Sequence, residues 1–81
     1  MTIIIGIKLP QRTETAPSFQ NILSKFGCNI KTRIGLHDIN ETYCAQDGII
    51  LLEVIGKPEL IESMLKELNL IEGISCKMMT L

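Results

Sequence analysis

The chain has 81 residues, 46% of them hydrophobic and 21% charged, with a formal net charge of −1 at pH 7. That is one globular domain, residues 1–81, with no room for a second core. The charge gives no basic face for nucleic acid, and the absence of Trp leaves little surface on which bases could stack, so strong direct nucleic-acid binding is not expected.

The opening "MTIIIGIKLP" is too short an apolar run to cross a bilayer and lacks the basic start and small-residue cleavage site of a signal peptide. It predicts a first strand, no membrane segment and a cytoplasmic protein. Residues 2 to 9 alternate, with Ile3, Ile5, Ile7 and Leu9 on one apolar face. Pro10 stops the strand and "QRTETA" is a polar connection. Pro17 suits the first turn of a helix, where its missing N–H costs nothing. Phe19, Ile22, Leu23 and Phe26 recur at helical spacing, and Gly27 follows where a left-handed terminating residue is wanted.

From Cys28 to Leu36 the period returns to two. Cys28, Ile30, Thr32, Ile34 and Leu36 are expected toward the core, with Asn29, Lys31, Arg33 and Gly35 on the other side. The segment "HDINETYCAQD", residues 37 to 47, reads as a long polar connection. Asp47-Gly48 then turns into "IILLEVI", apolar on both faces as a central strand should be. Gly56-Lys57-Pro58 opens a second helix whose buried stripe is Leu60, Ile61, Met64, Leu65 and Leu68, with Glu62 and Lys66 spaced as a surface pair. Gly73 leads to a last strand, "ISCKMMTL".

The order βαββαβ predicts an α+β ferredoxin-like plait: a four-stranded antiparallel sheet, order 4-1-3-2, with two helices on one face. Cys28 and Cys76 are then expected as core thiols on opposite edge strands, too far apart for a disulfide, which leaves Cys44 as the thiol available for chemistry.

The face without helices is expected to present an aliphatic middle that includes Ile4, Ile49, Leu51, Ile55 and Met79, rimmed by basic residues. A patch of that kind predicts a face-to-face oligomer, a dimer or tetramer. Lys31, Arg33, Gly35 and Lys77 form a second expectation, a site for a small anionic ligand, compatible with the first. In the polar segment His37 and Cys44 are candidate metal ligands, with Asp38, Glu41 and Asp47 beside them. Their irregular spacing and the single His favour a solvated connection. No cofactor is implied, and no phosphate-binding Gly loop or acid–base pair argues for an enzyme.

With strand 2 ending "TRIGL", strand 3 reading "GIILLEVIG" and the close "LKELNLIEGISCKMM", the chain resembles the iron-only hydrogenase system regulators, compact ACT-like domains of about this length. The similarity runs over nearly the whole chain, best after residue 30, and includes the R-x-G at Arg33 and Gly35. It implies an ACT-like fold and an oligomeric regulatory domain without catalytic residues, tied to hydrogenase or metal homeostasis and acting through a ligand or a partner regulator. Two features depart from related ligand-binding domains. "LPQRTETAPSF" has no Gly of the sort that lets an amino acid approach the backbone, and His37 with Cys44 is a smaller donor set than nickel-responsive repressors carry. The alternative function is a structural adaptor that binds another protein through its sheet face or edge, without a small-molecule ligand.

Overall fold

The computed structural model describes residues 1–9, 16–39 and 44–81, and of 16, 36–39 and 44–47 only the backbone course. In chain order the elements are β1 (Ile3–Leu9), α1 (Ala16–Lys25), a single 3-10 turn (Gly27–Asn29), β2 (Ile30–Ile39), β3 (Cys44–Val54), α2 (Pro58–Asn69) and β4 (Ser75–Thr80). The four strands form one antiparallel sheet in the order β2-β3-β1-β4. This is the ferredoxin-like plait that the element order predicts.

The core lies between the helices and one face of the sheet. Ile5, Ile7 and Leu9 of β1 and Ile50, Leu52 and Val54 of β3 point into it, against Phe19, Leu23 and Phe26 from α1 and Ile61, Met64 and Leu68 from α2. Alternation in β1 and β3 and the i, i+4 spacing in the helices put these side chains on facing surfaces. Ile5 and Leu52 are directly paired and wholly inaccessible to solvent. Truncating a large aliphatic side chain at such a position costs about 2–5 kcal/mol.

Leu60 departs from the expected stripe of α2 and is 39% exposed, because it lies in the first turn, beside the Gly56 bend rather than over the sheet. Glu62 and Lys66 do not pair. Instead Lys25 reaches across to Glu67 at 2.8 Å and stacks over the Phe26 ring, tying the C-terminal end of α1 to α2. Both partners of that ion pair are solvated, so its contribution is at most about 1 kcal/mol.

Gly27 is not a left-handed terminator, since the positive-φ glycines among the described residues are Gly56 and Gly73. Helix α1 instead tightens into the 3-10 turn, where the Asn29 N–H donates to the Phe26 carbonyl at 2.8 Å. Cys28 therefore sits in an exposed turn and not in the core as expected. The turn also fixes the start of β2. The Ile55 N–H donates to the Asn29 carbonyl at 2.8 Å, and Asn29 Nδ2 donates back to the Ile55 carbonyl at 2.9 Å.

A larger correction concerns β2. Ile30 pairs with Val54 but Thr32 pairs with Glu53, so Lys31 is an extra residue, a β-bulge. A one-residue slip turns every later side chain to the other side. Thr32, Ile34 and the position of Leu36 thus share the open face with Glu53, Leu51 and Ile49, while Arg33 and Gly35 share the helix side with Leu52 and Ile50.

The polar segment is also less of a loop than it reads. β2 and β3 remain paired through His37 with Gly48 and Ile39 with Cys44, beyond the end of β1 at Leu9. Residues 40–43 lie outside those described.

The Asn29–Ile55 clamp closes over Gly56, whose φ is +135° and whose missing Cβ would stand 2.5 Å from Asn29 Nδ2. Gly56→Ala is therefore expected to lower stability by about 1–3 kcal/mol, through backbone strain and displacement of that amide. Asn29→Ala should cost about 1 kcal/mol, the usual worth of one such bond. Urea unfolding followed by circular dichroism measures both, and an unchanged midpoint for Gly56→Ala would show that this bend is not constrained.

Candidate functional site

The open face is a grid set by the ladder register. Across β2-β3-β1-β4 its rows are Leu36–Ile49–Lys8–Ser75, Ile34–Leu51–Gly6–Lys77 and Thr32–Glu53–Ile4–Met79. Ile34, Ile49 and Met79 are 49%, 38% and 51% exposed, while Ile4 and Leu51 are half-buried by their neighbours in the sheet. Ile55, just past the end of β3, is 51% exposed. All five residues expected at an oligomer contact, Ile4, Ile49, Leu51, Ile55 and Met79, thus carry accessible surface, and the bulge adds Ile34 to them. The alternation of residues 28–36 is unbroken in the sequence, so only the ladder register places Ile34 there.

Charge on the face is uneven. Lys8, Ser75 and Lys77 occupy one corner and Glu53 the opposite one. Lys31 Nζ stands 3.7 Å from Glu53 Oε2, and Thr32 Oγ1 donates to Glu53 Oε1 at 3.4 Å. Both distances are long, so a carboxylate whose side chain is only 27% exposed is loosely satisfied within the chain.

The expected anion site is not assembled. Lys31 and Arg33 lie on one edge strand and Lys77 on the other, three strand steps or roughly 14 Å apart. The bulge also turns Arg33 and Gly35 to the helix side, away from Lys77. A Cβ at Gly35 would meet nothing within 4 Å, so no close approach explains that glycine.

The backbones of His37, Asp38, Cys44 and Asp47 belong to the β2–β3 ribbon, but their side chains, and Glu41 altogether, lie outside the described residues. Among the described residues no three His, Cys, Asp or Glu side chains gather as a metal site, and no helix is long and apolar enough to cross a membrane.

The two described thiols differ in environment. Cys28 is exposed, whereas Cys76 is partly buried against the core, its Sγ 4.0 Å from the Leu65 carbonyl. Burial pushes the Cys76 thiol above its ordinary value of 9.0.

Comparison with known proteins gives structural likeness alone. No protein-family model matches the chain, and no curated protein matches it in sequence. Among solved structures, an uncharacterized protein from Thermotoga maritima aligns with a TM-score of 0.82 at 22% identity, over 96% of this chain and 92% of that one. A formyltetrahydrofolate deformylase from Pseudomonas putida KT2440 aligns with a TM-score of 0.62 at 12% identity; it covers all of this chain, which spans only 29% of the deformylase. CPII from Thiomonas intermedia K12, solved with ADP, AMP and acetate, aligns with a TM-score of 0.52 at 12% identity, over 99% of this chain and 87% of its own. At these identities the likeness shows the fold, an ACT-like plait.

The thiols provide a direct check on the corrected placement. In a Cys44→Ser background at pH 7, a disulfide reagent is expected to label Cys28 at once and the partly buried, less acidic Cys76 more slowly. Because folding raises the Cys76 pKa, the associated stability is complete below about pH 9 and is lost as pH rises through the folded value. Cys76→Ala should remove that alkaline slope. Fast labelling of Cys76 in the folded protein would contradict its burial.

Proposed function

We propose that the chain is a non-catalytic regulatory domain that works as an oligomer and senses a small ligand. The observation that carries this reading is the open face, where half-exposed Ile34, Ile49 and Met79 adjoin Ile4 and Leu51. A face of that kind is covered in a working assembly more often than left in water. The fold that this chain shares with CPII, a protein solved with ADP, AMP and acetate, is compatible with a ligand-responsive module. The sequence resemblance to iron-only hydrogenase system regulators supports the same class and suggests the system served. We place the protein inside the cell, with a partner regulator supplying any contact to DNA.

The adaptor reading shares the sheet face and differs in having no small ligand. Thermal unfolding against a panel of metabolites and metal salts separates the two. A ligand present at 100 times its Kd should add about 2.7 kcal/mol of stability, while an adaptor should respond to none. For the oligomer, light scattering at tens of micromolar is expected to give a mass above that of the 9.0 kDa chain. Leu51→Lys should reduce it to the monomer, because an unpaired charge would sit inside the contact. A monomeric wild type over that range would end the oligomeric part of the proposal.

A further inference from the structure

We propose that the open face is self-complementary in a single orientation, in which two copies pack with their strands crossing at nearly a right angle and Lys77 of each copy meets Glu53 of the other. This rests on the oligomeric reading above and specifies its geometry. The face is close to square. Three strand steps of ~4.8 Å and four residue steps of ~3.4 Å give roughly 14 Å on each side. Two identical squares can meet face to face about a two-fold axis along the strands, across them, or along either diagonal.

The placement of charge selects among these. An axis along the strands sets Lys77 over the position of Ile34 and Glu53 over Ile4, leaving both charges without partners. An axis across the strands sets Lys77 against Lys77 of the second copy. The diagonal from Thr32 to Ser75 brings Lys77 toward Lys8 of the second copy, again like against like. The remaining diagonal runs from the position of Leu36, past Leu51 and Gly6, to Met79. Rotation about it carries the lysine corner onto the glutamate corner. Lys77 then lies over the junction of Glu53 and Ile4, within reach of the carboxylate, Ile34 lies over the junction of Ile49 and Lys8, and Met79 meets its own counterpart. Orthogonal packing is one of the two common ways that sheets stack.

Three further observations fit this arrangement. Glu53 holds its own partners loosely, Lys31 at 3.7 Å and Thr32 at 3.4 Å, and so has capacity for another donor. Among the described residues Lys77 has no ion-pair partner. Gly6 has no requirement within the chain: its φ is not positive, and an added Cβ would make only an ordinary contact, 3.7 Å from Leu51 Cδ2. It lies beside the point that Leu51 of the second copy reaches, where a strand glycine leaves room for close approach. A face roughly 14 Å on a side is smaller than a standard specific interface, so association is expected to be weak, at micromolar concentrations or above.

The test is sedimentation equilibrium from 1 to about 200 µM, a range that brackets a weak interface, on wild type, Lys77→Glu, Glu53→Lys and the double exchange. Each single exchange should raise the dimer dissociation constant at least about tenfold. The double exchange should return it to within about threefold of wild type, and halving the ionic strength should tighten wild type and double exchange alike. Gly6→Val should weaken association while the far-UV spectrum stays unchanged, and circular dichroism confirms that every variant is folded. If wild type dimerises but the exchanges do not compensate, this geometry is wrong and the oligomeric reading stands. If wild type is monomeric throughout, both fall.

Discussion

Two short helices cover only one face of a four-stranded sheet, and most of what distinguishes this protein follows from that limit. The covered face takes nearly all of the apolar side chains that become inaccessible, from Ile5 and Leu52 at the centre to Phe19 and Met64 from the helices. The other face must be solvated, occupied by a ligand, or paired. Here it carries branched aliphatic residues on the two inner strands, where a solvated sheet would alternate to polar. The hydrophobic driving force left over from folding therefore sits on a flat surface whose shape the backbone has already fixed.

The bulge at Lys31 then decides what the edge strand adds to that surface. Before it, Ile30 packs against the core; after it, Ile34 and Thr32 join the open face. The clamp between Asn29 and Ile55 fixes where β2 begins, and so where the extra residue falls. Gly56, which leaves space for the Asn29 amide, thereby influences the composition of the opposite face from a turn that does not belong to it. A short chain of causes links a glycine between β3 and α2 to an aliphatic patch on β2. Each link is a hydrogen bond or a steric exclusion.

The order of elements, the sheet topology and both helix stripes were legible in the sequence, because periods of two and 3.6 are strong signals and the connections are short. The facing of β2 was not. Its alternation through Cys28, Ile30, Thr32, Ile34 and Leu36 reads as one apolar side, and nothing local marks the bulge that splits it. The error carried into the site. With β2 regular, Lys31, Arg33 and Lys77 would share one face, though the strand order already sets them on opposite edges; the bulge then turns Arg33 off that face as well. The turn at Gly27 failed for a related reason: a glycine after a helical stripe suggests a left-handed stop, but a 3-10 turn ends the helix without one. Ile4, Ile49, Leu51 and Met79 do fall on the open face that their alternation predicts, since β1, β3 and β4 carry no extra residue between their paired positions.

On the proposed regulatory reading, a large change of shape is not required. A chain of 81 residues buries a modest share of its surface, so its stability is small enough for association or a ligand to shift it appreciably. If a ligand binds on the open face of one copy, it competes with the second copy, and its apparent affinity must fall as protein concentration rises. If it binds in a cleft that only the pair creates, linkage reverses the sign: affinity rises with concentration, and the ligand in turn tightens the pair by the same factor. In the proposed pair the sign is set by where the binding residues lie relative to the diagonal past Leu51 to Met79. Lys8 and Ser75, beside Lys77 on one corner, are exposed on the single chain and would lie at the rim of the proposed crossed pair. An anion drawn to that corner would meet Lys77 in competition with Glu53 of the second copy. The same lysine that orients the assembly would then make it sensitive to anionic solutes, through an exchange of one carboxylate for another charge at a fixed position.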